Sequence, residues 1–157
     1  MATEMTNPSF NLTDTDKKII EIILKDARLS SRHIARLTNI SVGTVITRIK
    51  NMEANGLIKG YTAQIDHEKL GYTLTAIIEI TLSKSPLLEV ENEIAKMPGI
   101  CNMYNVTGST DVIVVAKFKN KDELINFTNQ LLTLPYVEHT NTHITLTTIK
   151  ENNQLLP

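Results

Sequence analysis

Thr44, Thr47, Arg48 and Asn51 stand at i, i+3, i+4 and i+7, so a helix through them carries one polar stripe. Val45, Ile49 and Met52 fall at i, i+4 and i+7 and make an apolar stripe on the opposite side. Hydroxyl and amide groups on such a stripe can bond base edges in a duplex groove, and cationic groups can bond phosphate. Gly43 brings no side chain, which lets another molecule approach the start of the helix closely. With Arg32, Ser41, Val42 and Lys50, these residues make a candidate DNA-facing surface. The bland alternative is a solvated helix face, with Arg48 paired to an acid of the first helix.

Charge is distributed in keeping with the sharper reading. Between residues 28 and 60 there are six Lys or Arg against the single acid Glu53. From residue 67 onward there are seven lysines, no arginine and ten acids. A basic segment on an acidic remainder suggests that one part meets a polyanion and the other does not.

The elements needed to position the stripe can be read from caps and periodicity. Residues 1–11 are polar and aperiodic and are expected to form an arm. Thr13 with Asp16 three residues later predicts a capped helix over 14–26, with Ile19, Ile20, Ile23, Leu24 and Ala27 at helical spacing. Ser30-Ser31 opens a second, short helix with Ile34, Ala35 and Leu37 expected on its inner side. Ser41 caps a third helix, and Gly56 closes it. A helix-turn-helix needs a small residue at the crossing, a residue tolerating positive φ four later, an apolar plug next and an apolar residue five beyond that. Ala35, Asn39, Ile40 and Val45 meet all four requirements. Leu57-Ile58 and 61–65 then predict a short wing or connecting strand.

The remainder alternates between strand and helix patterns. Strands are expected over 73–82, 100–107, 111–118 and 136–150. A helix is expected from Pro86 to about Met97, and another over 121–133 with Leu124, Ile125, Phe127, Leu131 and Leu132 inside. The order β-α-β-β-α-β is the ferredoxin-like arrangement, so the fold class is α+β with an N-terminal winged helix-turn-helix. The expected organisation is an arm over 1–11, a DNA-binding domain over 12–60, a connector over 61–71 and an effector-sensing, oligomerising domain over 72–157. Ile77, Ile113 and Val115 make the second sheet face apolar too, which predicts a homodimer through these sheets and leaves room for higher assembly.

At this point the residues resemble a known family. Leu12, Asp16, Ala27-Arg28-Leu29-Ser30, Ile34-Ala35, Ser41-Val42-Gly43-Thr44-Val45, Arg48-Ile49, Gly56 to Tyr61 and Leu70-Gly71 resemble the N-terminal half of the Lrp/AsnC (feast/famine) regulators. Met97-Pro98-Gly99-Ile100 and Gly108-Ser109-Thr110-Asp111 resemble the regulatory domain of that family. The resemblance implies a dimer or octamer that binds promoter DNA and responds to an amino acid. Carried onto this chain, the implied effector residues are Val106, Gly108, Thr110, Asp111, Thr140 and Thr142. Asp111 would take an α-ammonium and the backbone at Gly108 a carboxylate; the alternative is that Asp111 only caps its turn.

Two other classes draw on parts of the same sequence. A siroheme-decarboxylase-like enzyme would use His and Arg in the second half, where His139 and His143 share a strand face but arginine is absent. An architectural DNA-binding protein would need many phosphate contacts, which the modest basic charge disfavours. The single cysteine, Cys101, excludes an intrachain disulfide and any multi-cysteine metal site, and no cofactor is expected beyond an amino-acid effector. No signal-peptide layout or long apolar run is present, so a cytoplasmic protein is expected.

Overall fold

The computed structural model describes residues 11–83, 87–152 and 155. The arm expected over 1–11 (but for Asn11) and the helix start at Pro86 lie outside the described residues. Of those described, 11–64 with 152 and 155 form one compact unit, and Ile65–Glu151 form the other.

The first unit is three helices: α1 (Asp14–Lys25), α2 (Ser31–Thr38) and α3 (Val42–Ala54). Each begins where a side chain takes up a free helix N–H. Thr13 accepts from the Asp16 N–H while Asp16 accepts from the Thr13 N–H, a reciprocal capping box. Ser30 accepts from His33, and Ser41 from Thr44. Asn39 ends α2 in the left-handed region, at φ 55° and ψ 41°, as the turn pattern requires. Gly56, at φ 70°, closes α3, with the Leu57 N–H reaching back to the Met52 carbonyl at 2.9 Å. Ile19, Ile34, Ala35, Val45 and Met52 are the buried core, with Ile40 and Ile49 packed on it. Two expectations fail here. Leu37 points outward and is 57% exposed, because the eight-residue α2 needs only Ile34 and Ala35 to meet its neighbours. Residues 57–66 form no strand, since the described part of this unit offers no second strand to pair with.

The second unit is β1 (Leu74–Leu82), α4 (Leu87–Ile94), β2 (Ile100–Asn105), β3 (Val112–Phe118), α5 (Lys121–Thr133) and β4 (Val137–Ile144). The strands lie in the order β2-β3-β1-β4, with every neighbour antiparallel, as the ferredoxin-like reading expects. Ala76, Ile78, Ile80 and Leu82 of β1 pack with Val112, Val114, Ala116 and Phe118 of β3 under Val90 and Ile94 of α4 and Leu124, Phe127 and Leu131 of α5. Ile125 and Leu132, expected inside, are 43% and 53% exposed: α5 buries only the residues that face the sheet. β4 stops at Ile144 rather than continuing to 150, because its partner β1 starts at Leu74. The Thr145 N–H makes one last bond, to the Thr75 carbonyl at 2.9 Å. By alternation, the opposite face carries Ile77, Glu79, Ile113, Val115, Lys117, His139, Asn141 and His143.

Candidate nucleic-acid interface and effector region

α3 divides its residues cleanly between core and solvent. Val45 and Met52 are fully buried, whereas Ser41, Val42, Gly43, Thr44, Thr47, Lys50 and Asn51 are exposed, as is Arg32 on α2. The Ser41 and Thr44 hydroxyls lie 2.8 Å apart at the head of the helix. A Cβ at Gly43 would meet nothing closer than Ser41 Oγ at 3.9 Å. Interior packing therefore does not demand a glycine there, and its effect is to leave the helix surface bare.

Arg48 behaves differently from the rest of the stripe. Its Nη1 donates to Asp16 Oδ2 at 3.4 Å, and the Asp16 side chain is 1% exposed. This is the pairing with an acid of the first helix that the alternative reading anticipated. Arg28 is likewise engaged: its guanidinium donates to both oxygens of Asp26, at 2.9 and 3.1 Å. The Arg28 side-chain and backbone N–H groups hold the Asp26 carboxyl down at about 2. Among the described residues of this unit, Lys18, Lys25, Arg32, Arg36, Lys50 and Lys59 have no ion-pair partner, and the last four lie in the basic segment.

The structure adds residues that the periodicity passed over. Ile46, next to Thr47, is 39% exposed on α3, where it can meet a thymine methyl. Its place outside the Val45, Ile49, Met52 series was the available signal. Tyr61 donates to Glu53 Oε1 at 2.8 Å, so the single acid of the basic segment is occupied. Burial, with Glu53 assisting, pushes the Tyr61 phenol up to about 12.

Four of the six implied effector residues gather at Ile80 of β1. The Asp111 N–H and the Thr110 hydroxyl both donate to the Ile80 carbonyl, at 3.1 and 2.8 Å. The Val106 N–H donates to the Asp111 carbonyl at 2.9 Å. Thr140 lies across from Ile80 in the β4 ladder, and Thr142 sits two residues along, opposite Ile78. Gly108 is exposed in the loop between β2 and β3. The Asp111 side chain reaches beyond its turn: its Oδ2 accepts the Leu82 N–H at 2.7 Å and ties the start of β3 to the end of β1.

Cys101 is exposed, and partial desolvation raises its thiol against the opposing pull of Lys117. Among the described residues no cluster of three His, Cys, Asp or Glu could hold a metal ion, and no helix is long and apolar enough to cross a membrane.

Comparison with known proteins agrees with this layout. Residues 12–59 match the family described as winged helix-turn-helix DNA-binding, and residues 75–155 match the Lrp/AsnC ligand binding domain. An uncharacterised HTH-type transcriptional regulator of Pyrococcus abyssi is 44% identical over 93% of this chain and 99% of its own length. The transcriptional regulator LrpC of Bacillus subtilis is 30% identical over 90% of this chain. Its solved structure superposes with a TM-score of 0.81 over 99% of that chain. A Neisseria meningitidis transcriptional regulator solved with L-Met shares the fold, with a TM-score of 0.85 at 24% identity over 92% of this chain and 96% of its own. The helix-turn-helix, the four-stranded sheet with its helices and these relatives together place the chain in the Lrp/AsnC family of transcriptional regulators.

Proposed function

We propose that the chain is a sequence-specific DNA-binding regulator that acts as a homodimer or higher oligomer on promoter DNA and responds to an amino acid. The observation that carries this reading is α3, which anchors Val45, Ile49 and Met52 in the core and turns Thr44, Thr47, Lys50 and Asn51 to solvent. Thr44, Thr47 and Asn51 read base edges, while Arg32 and Lys50 hold phosphate. Assembly buries the sheet face bearing Ile77, Ile113 and Val115. The effector lies by Val106, Gly108, Thr110, Asp111, Thr140 and Thr142, and the L-Met bound to the Neisseria meningitidis regulator supports an amino acid as its class. The protein works by binding, in the cytoplasm, and needs no metal or prosthetic group.

The test is binding to the DNA upstream of the protein's own gene against a shuffled duplex at fixed moderate salt. Preference for the native duplex by ~10³-fold or more is expected of a specific regulator. Tight, equal binding to both favours an architectural role, and no binding to either removes the reading. Sedimentation at micromolar concentration checks assembly, and a monomer would contradict the buried sheet face.

A further inference from the structure

Lys117 is a buried cation, its side chain only 9% exposed. An ammonium taken out of water needs an opposite charge close by. Glu151 supplies it, with oxygens 3.0 and 3.2 Å from Nζ, and Thr75 Oγ1 accepts a further bond at 3.3 Å. Lys117 and Thr75 face each other in the β1–β3 ladder, so their relation is rigid. Glu151 is held differently. β4 has ended at Ile144, residues 145–152 carry neither helix nor strand, and the Glu151 side chain is 53% exposed. A fixed cation is thus satisfied by a carboxylate on an irregular segment, which can leave without disturbing the sheet.

The pair opens on a cavity of about 190 Å³ lined by Thr73, Thr75 and Thr148 as well as by two further acids, Asp66 and Glu68. Fixed cation, hydroxyls and carboxylates within one small cavity match the two charged ends of a free amino acid. We propose that Lys117 and Thr75 bind the α-carboxylate of a small amino acid, that Glu151 fills this position without ligand, and that Glu68 receives the α-ammonium, Asp66 being paired with Lys69 at 3.5 Å. The inference rests on the amino-acid-responsive reading above and adds a second site to it. Thr75 and Leu82, to which Asp111 is bonded, are seven residues apart on β1, roughly 23 Å at the usual strand rise.

Calorimetric titration of glycine, L-alanine and L-serine into the full-length protein tests this, with L-methionine as a large control. Glu151→Gln weakens the resident competitor and is expected to tighten binding of the three small probes by about tenfold, as when an occluded fraction of sites is released. Lys117→Met is expected to abolish their binding, and Thr75→Val to weaken it in a variant that keeps the sheet even if Lys117→Met does not fold. Small-probe binding that ignores Glu151→Gln and Thr75→Val overturns the Lys117 site alone. No heat from any small probe overturns it as well, and L-methionine binding in that case leaves the effector reading standing. Absence of heat from all four probes in every variant counts against both.

Discussion

The Arg48 guanidinium lies 3.4 Å from Asp16 Oδ2 and joins the outward side of α3 to the buried start of α1. Asp16 is 1% exposed, and the same oxygen accepts from the Thr13 N–H at 3.0 Å and the Thr13 hydroxyl at 2.6 Å. One carboxylate therefore sets both where α1 begins and how α3 is held against it.

Asp16→Ala leaves Thr13 as the N-cap but should remove the reciprocal half of the capping box, worth about 1 kcal/mol, together with the ion pair, for a total near 2–4 kcal/mol. Arg48→Met leaves the capping box intact, and its guanidinium is 40% exposed, so about 1 kcal/mol is expected from that change. Urea unfolding of both variants decides the matter: equal losses would mean that the cap contributes nothing beyond the pair.

On the proposed reading, Lys50 and Arg32, which have no ion-pair partner among the described residues, hold phosphate. Lys50→Ala should weaken binding evenly across sequences and lower the salt slope by about one unit. Thr44→Ala and Thr47→Ala should instead change which base is preferred, at about 1–3 kcal/mol for a lost base contact. Binding isotherms over a salt series, on a consensus duplex and its single-base variants, separate the two. If both threonine variants retain wild-type affinity and preference, α3 is not the reading helix.

Local chemistry made much of the first unit legible. The Thr13–Asp16 box, the left-handed Asn39 and the Gly56 stop each arise within a few residues of chain, where caps and turns have direct sequence signatures. The sheet order followed from element order, since short connections leave few topologies. What was not legible depends on distant partners. That Arg48 pairs with an acid of the first helix was open as an alternative, but which acid was not legible, since Arg48 and Asp16 are 32 residues apart. Residues 57–66 have a strand's composition but no partner strand, and β4 stops where β1 runs out. Leu37, Ile125 and Leu132 have the right type for a core and the wrong angle on their helices.

Tyr61 gives the DNA-binding unit an alkaline signature. Its phenol is raised to about 12, by burial first and then by Glu53, from the ordinary 10.0. A raised value means that the folded state binds the proton more tightly than the unfolded chain does. The contribution is thus fully present below pH 10 and is lost as pH rises toward 12. Absorbance titration should show one of the four tyrosines ionising last, and Tyr61→Phe should remove that step. Four tyrosines titrating together near the ordinary value would mean that the Glu53 bond does not persist in solution.

Asp111 has one structural bond and one proposed role, and substitution can separate them. Its Oδ2 accepts the Leu82 N–H at 2.7 Å, a structural bond to the end of β1. The proposed role, receiving an α-ammonium, needs the negative charge as well. Asn keeps an acceptor oxygen in nearly the same place and drops the charge; Ala drops both. Asp111→Asn should therefore melt close to wild type, whereas Asp111→Ala should lose about 1–3 kcal/mol, the usual cost of stranding a half-buried N–H. Amino-acid binding should fall at least about tenfold in both, because a charge-assisted bond to an ammonium is about twice as strong as a neutral one. Calorimetry and thermal melts on the same samples read the two effects independently. Unchanged ligand affinity in Asp111→Asn, with the melt intact, would assign the carboxylate to the sheet alone and leave the ammonium to another group.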